Sequence, residues 1–238
     1  LANAILGLGE KSMRIVIATM CLFALATPAA AQTLAEGVSV DRHDGAAFDL
    51  VGLRLGMTAD EARAALMKSG FSFSERGSWG HRGYDGLVRS EANRLRQPVP
   101  ELPPTIGPEE ISGEDAAGNR IIVRFTAMRD GPMVSEVVLR FNRNTAQIET
   151  LREDIFARYG EPSAANAYGD DYRWCLPSRP CPWRPDASGP HLSYDTTMGH
   201  SLTLSGWRYM VAERDSEIAA MFADPSNERQ RALLGRSN

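Results

Sequence analysis

The chain has 238 residues, a formal net charge of −4 and a hydrophobic content of 43 %, enough for one larger domain or two small ones. Mild acidity argues against a nucleic-acid partner, which would need a basic patch. Arginine is plentiful while lysine occurs only at Lys11 and Lys68, a bias that, with the alanine abundance, fits a GC-rich bacterial genome.

Residues 13–31 read MRIVIATMCLFALATPAAA. A basic start at Arg14, an apolar run over 15–26 and small residues at Ala29, Ala30 and Ala31 have the three zones of a secretory signal peptide, with cleavage expected after Ala31. The run is shorter than the roughly 20 residues that a membrane-spanning helix needs. Residues 1–12 read as an extension upstream of the initiator Met13. Met20 precedes Cys21 where a lipid-anchoring motif wants a small residue, so Cys21 is expected to leave with the leader. A periplasmic or secreted protein is expected, soluble once the leader is gone. The segment 32–47 is expected to be flexible; its Asp41, His43 and Asp44 read as solvated side chains.

A first αβ unit is expected over 48–143. Thr58 and Glu61 have capping-box spacing at the head of a helix over 59–69, with Ala62, Ala65, Leu66 and Ser69 on one face and Gly70 as its stop. A second helix is expected over 83–97, with Leu87, Val88, Asn93 and Leu95 as its stripe. PVPELPP at 98–104 forces an extended connection, since proline neither continues a helix nor donates to a ladder. Strands are expected over 109–114, 120–126 and 134–141, separated by turns at Ala117-Gly118-Asn119 and Asp130-Gly131-Pro132. In the middle strand Ile121, Val123 and Phe125 share one face, the mark of an antiparallel sheet covered on one side.

A second unit over 144–222 repeats the order. Asn144 and Gln147 open a helix whose Ile148, Leu151, Ile155, Phe156 and Tyr159 recur at helical spacing before Gly160 and Pro162 stop it. Strands are expected over 171–175, 191–198 and 201–209, then a helical tail from 212 to 234 broken near Asp224-Pro225, its last part (223–238) standing apart. The fold class is α+β: two helix-plus-antiparallel-meander units that can share one continuous sheet.

The stretch GLRLGMTADEARAAL at 52–66 resembles the opening of small exported bacterial domains of the SmpA/OmlA (BamE-like) type, which are similar in fold to β-lactamase inhibitor protein. FARYGEPS at 156–163 resembles the helix end that introduces the meander in such domains. The resemblance implies two helices packed on a small antiparallel sheet, and the inhibitor protein carries two such units in tandem. The chain lacks the lipobox of the assembly lipoprotein and has one cysteine pair where the inhibitor has one per unit. No functional residue carries over.

The chemistry-bearing residues are few. His191 and His200 become cross-strand neighbours if Gly199 makes a turn, but two ligands do not complete a zinc site, and no metal or cofactor is implied. Ser78-Trp79-Gly80-His81 reads as a surface loop, and Gly77, Gly80, Gly83 and Gly86 lack the lysine of a phosphate loop. Asp170 and Asp171 read as a turn before a strand. With Cys21 removed, Cys175 and Cys181 remain as an even pair in an oxidising compartment, and five intervening residues are too many for a thioredoxin-like switch; a disulfide staple is expected. The binding candidates lie around it. Trp183 with Arg179 and Arg184 has the composition of an interaction hot spot, while a tryptophan packed over the disulfide is the alternative. Trp174 alternates with Tyr172, so both can face the core. The functional expectation is a non-catalytic envelope module that binds another envelope protein, with a periplasmic hydrolase as the alternative.

Overall fold

The computed structural model describes residues 48–142, 148–176, 181, 189–197 and 199–223; the expected leader, the segment 32–47, Asn144, Gln147 and the tail 224–238 lie outside the described residues. In chain order these form α1 (Ala59–Lys68), β1 (Ser72–Arg76), a 3-10 turn (Gly80–Arg82), α2 (Tyr84–Leu95), β2 (Glu110–Glu114), β3 (Arg120–Met128) and β4 (Gly131–Arg140). They continue as α3 (Ile148–Tyr159), β5 (Ala164–Ala165), β6 (Asp171–Cys175), β7 (His191–Asp195), β8 (Ser201–Ser205) and α4 (Trp207–Ala223). No helix among them is long and apolar enough to cross a membrane.

The class is α+β. All eight strands join one antiparallel sheet in the order β1-β2-β3-β4-β8-β7-β6-β5. The β1–β4 meander and the β5–β8 meander therefore meet through their last strands, with Val137 opposite Leu204 and Leu139 opposite Leu202.

Local chemistry starts α1 where the sequence places it. The Thr58 amide donates to Glu61 Oε2 at 2.8 Å and the Glu61 amide donates to Thr58 Oγ1 at 3.3 Å, closing the capping box. Ala62 and Leu66 are its buried residues. In α2 the buried face is Tyr84, Val88 and Ala92 rather than the expected stripe, and Arg96, not a glycine, takes the left-handed position at its end. Two strands were not expected. β1, SFSER, is a polar edge strand that exists through its pairing with β2, and β5 has only two residues. Two expected strands are shorter: β7 ends at Asp195, whose carboxylate accepts from the Thr197 amide and hydroxyl, and β8 ends at Ser205. Consequently α4 starts at Trp207, five residues before the expected 212.

Registered pairs give the sheet an apolar face: Ile121, Leu139, Leu202, Tyr194 and Tyr172 in one cross-strand row, and Val123, Val137, Leu204, Leu192 and Trp174 in the next. These rows belong to one contiguous core with Leu66 of α1 and Ile155 of α3. The opposite face is polar. Arg76, Glu110, Arg124 and Glu136 alternate in sign across β1–β4, with ion pairs at 3.1 Å (Arg76–Glu110) and 3.4 Å (Arg124–Glu110) and a third between Arg124 and Glu136. This row continues through Ser205 and His191 to Cys175. A bulge between Arg124 and Phe125 changes the pattern at the far end of β3, where Phe125, Thr126 and Ala127 are buried in succession and α4 packs on β3 and β4.

Asp49 ties the segment that precedes α1 to α3. It closes the tight Leu50–Leu53 turn by accepting from the Gly52 amide at 2.9 Å and pairs with Arg158 of α3 at 3.3 Å. Its carbonyl accepts from the Tyr159 hydroxyl at 2.8 Å. Burial pushes that phenol up to about 12.

Candidate functional site

The disulfide joins Cys175 at the end of β6 to Cys181, with a Cα–Cα distance of 5.4 Å. Arg179, Trp183 and Arg184 lie outside the described residues. Of the two readings of Trp174, contact residue or core-facing neighbour of Tyr172, the structure has the second. The residue is 3 % exposed, its Nε1 donates to the Gly160 carbonyl at 2.9 Å, and Phe156 meets it edge-on at 5.7 Å. Its work is to fix the end of β6, from which the stapled loop departs.

Leu176, just after β6, and Pro190, just before β7, wall a cleft of about 440 Å³. Its opposite wall is the β3–β4 hairpin, where Met128 and Met133 flank the turn residues Arg129 and Asp130. Tyr209, Met210, Glu213 and Glu217 of α4 close a third side, and Leu55 lies beneath. The fold explains why α4 starts here. The Gly206 amide donates to the Ser135 carbonyl at 2.9 Å and its carbonyl accepts from the Met210 amide, which turns the chain out of β8 into the helix. A Cβ on Gly206 would stand 2.6 Å from Leu55 Cδ1, so a larger residue would displace the base of the cleft. Trp207 and Tyr209 are 45 % and 38 % exposed, and the guanidinium of Arg208 lies 5.2 Å from the Trp207 ring centroid.

Charge is uneven around this apolar space. Arg129 pairs with Glu217 at 3.4 Å, whereas Asp130 and Glu213 make no ion pair among the described residues. A second cavity, of about 380 Å³, shares Met128, Arg129 and Asp130 of the same hairpin as its wall; Leu102, Pro103 and Ile106 supply its apolar side. Tyr84 also lines it, with its hydroxyl buried and without a hydrogen-bond partner among the described residues. Burial and the nearby Glu217 carboxylate raise this phenol, although Glu217 does not reach hydrogen-bond geometry.

The histidines do not converge. His191 and His200 stand at opposite ends of the β7–β8 pair, because Asp195 rather than His191 reaches the turn, opposite Ser201. This overturns the expected neighbourhood. His200 Nδ1 lies 2.6 Å from the Tyr194 hydroxyl, and His191 Nδ1 lies 3.2 Å from the Gly189 carbonyl oxygen. Asp171, Arg173, His191 and Asp195 occupy the polar sheet face, outside either cavity. Burial raises the Asp171 carboxyl, opposed by Arg173. Among the described residues no three His, Cys, Asp or Glu side chains are placed to hold a metal. The glycines near His81 have a packing reason: a Cβ on Gly86 would stand 2.7 Å from the His81 backbone.

No protein family, curated protein or solved structure matches the chain.

Proposed function

We propose that this chain is an exported envelope module that binds a protein partner in the cleft between the end of β6, the start of β7, the β3–β4 hairpin and α4. The observation that carries this reading is the convergence of Leu176 and Pro190 with Met128, Met133 and Tyr209 around one open apolar space, beside the exposed Trp207. Methionines suit such a surface because they adapt to irregular ligands, and tyrosine and tryptophan are over-represented where partners bind. Among the described residues no histidine lines either cavity, and of the cleft's carboxylates Glu217 is engaged by Arg129, an arrangement that favours binding over hydrolysis. Export is supported by the leader-like residues 13–31 and by the disulfide. The strand order, two meanders joined at their last strands, is what a tandem pair of SmpA/OmlA-like units would generate.

The test is crosslinking and recovery from an envelope fraction with wild type, Tyr209→Ala and Trp183→Ala. A partner crosslinked to wild type and lost in Tyr209→Ala is the expected result. Loss in Trp183→Ala as well would add the loop to the contact. Unchanged recovery in Tyr209→Ala removes the cleft from the reading.

A further inference from the structure

Resting on that reading, we infer that the cleft's occupant is a polypeptide segment with a basic side chain between two apolar ones, laid across the β3–β4 turn. The two cavities share the tip of one hairpin, Met128, Arg129 and Asp130, and otherwise have different linings. Each has an apolar side, methionines and Tyr209 in one and Leu102, Pro103 and Ile106 in the other. A compact ligand would fill one cavity and leave the other. A chain crossing the turn places one apolar side chain in each, and its intervening residue faces the charged tip.

The sign of that intervening charge follows from the carboxylates. The Arg129–Glu217 pair is internally neutral. Asp130 at the tip and Glu213 on α4 remain without an ion-pair partner among the described residues, so the described lining of the cleft carries one guanidinium, Arg129, against three carboxylates, Asp130, Glu213 and Glu217. Bringing an acidic or neutral segment over them strips their water without return. A guanidinium or ammonium group supplies the missing counter-charge. Complementarity of this kind selects the partner and speeds encounter more than it adds raw affinity, so its signature is salt dependence and charge selectivity.

The probes are three fluorescein-labelled capped peptides with Leu-Arg-Leu, Leu-Gln-Leu or Leu-Glu-Leu at the centre, titrated against the full chain by fluorescence anisotropy at low and high salt. The Leu-Arg-Leu peptide is expected to bind tightest, and to weaken by about tenfold in the Asp130→Asn/Glu213→Gln double variant, equivalent to about 1.4 kcal/mol. Raising salt is expected to erase most of its advantage over Leu-Gln-Leu. In Glu213→Lys the preference is expected to move toward Leu-Glu-Leu; unchanged melting of each variant shows that the fold is intact. Equal, salt-insensitive binding of the Arg and Gln peptides, unaffected by the double variant, overturns the charge inference while leaving the cleft as a binding site. No binding of any peptide also overturns it. The cleft reading then stands or falls separately on recovery of the crosslinked partner with Tyr209→Ala.

Discussion

His191 sits at the start of β7 directly opposite Cys175, with its imidazole partly enclosed. Burial lowers its pKa from the ordinary 6.5; the Gly189 carbonyl works against that, Arg173 reinforces it, and Asp171 and Glu136 pull the other way. The folded state therefore holds this proton less tightly than the unfolded chain does. Stability is undiminished above about pH 6.5 and is lost as pH falls through the lower folded value. Asp171 opposes this at more acidic pH. Its folded pKa is raised from 3.8, so protonation relieves a penalty there. Denaturant melts of wild type between pH 7 and pH 5 should show declining stability, and His191→Gln should flatten that decline. A slope unchanged in His191→Gln would mean that other groups carry it. The environment that sets this behaviour was not legible in the sequence. Its charges come from β4 and β6, and only the strand register brings them to His191. Positive φ at Val51 was equally hidden, because a β-branched residue rarely adopts it.

The elements divide by whether their signal is local. α1 was legible because the capping box and its Gly70 stop lie within the helix's own neighbourhood. β1 was not, because a polar edge strand is defined by its partner. The start of α4 was misread because Leu202, Leu204 and the aromatic residues beyond them sustain a strand-like alternation past Gly206, whose turn depends on a carbonyl of β4. The stapled loop was legible at its feet through the cysteine spacing. The cleft was not, since its walls come from segments scattered from Leu55 to Glu217. The staple closes a loop of sequence separation 6. On the chain-entropy formula such a loop contributes about 2.4 kcal/mol. Cys175→Ser should therefore lower unfolding stability by about 2 kcal/mol in oxidising buffer, with no difference from wild type in reductant. Equal melting in oxidising buffer would show that the bond is absent or adds nothing.

At the scale of the molecule, the decisive feature is the seam between β4 and β8. Local patterning showed two meanders but could not show which edges meet, since any exposed edge offers the same donors and acceptors. The apolar rows answer that question physically. Leu139 opposite Leu202 and Val137 opposite Leu204 carry each meander's buried stripe across the junction without a break, and a one-residue slip would turn both leucines of β8 to the polar face. Asp49 adds a second tie through Arg158 and Tyr159 of α3. Neither meander then keeps its buried surface if the other opens, so the chain should unfold as one unit. Leu202 tests this, being fully buried between Leu139 of β4 and Tyr194 of β7. Leu202→Ala should cost about 3 kcal/mol, since the cavity forms where neither side can collapse. Circular dichroism and tryptophan fluorescence, with Trp79 in the first half and Trp174 in the second, should still report coincident transitions. Native-state hydrogen exchange should show Ile121 and Leu192 losing protection by the same amount in the variant. Loss confined to Leu192, or two separated transitions, would mean that the meanders are independently stable units joined by a weak edge.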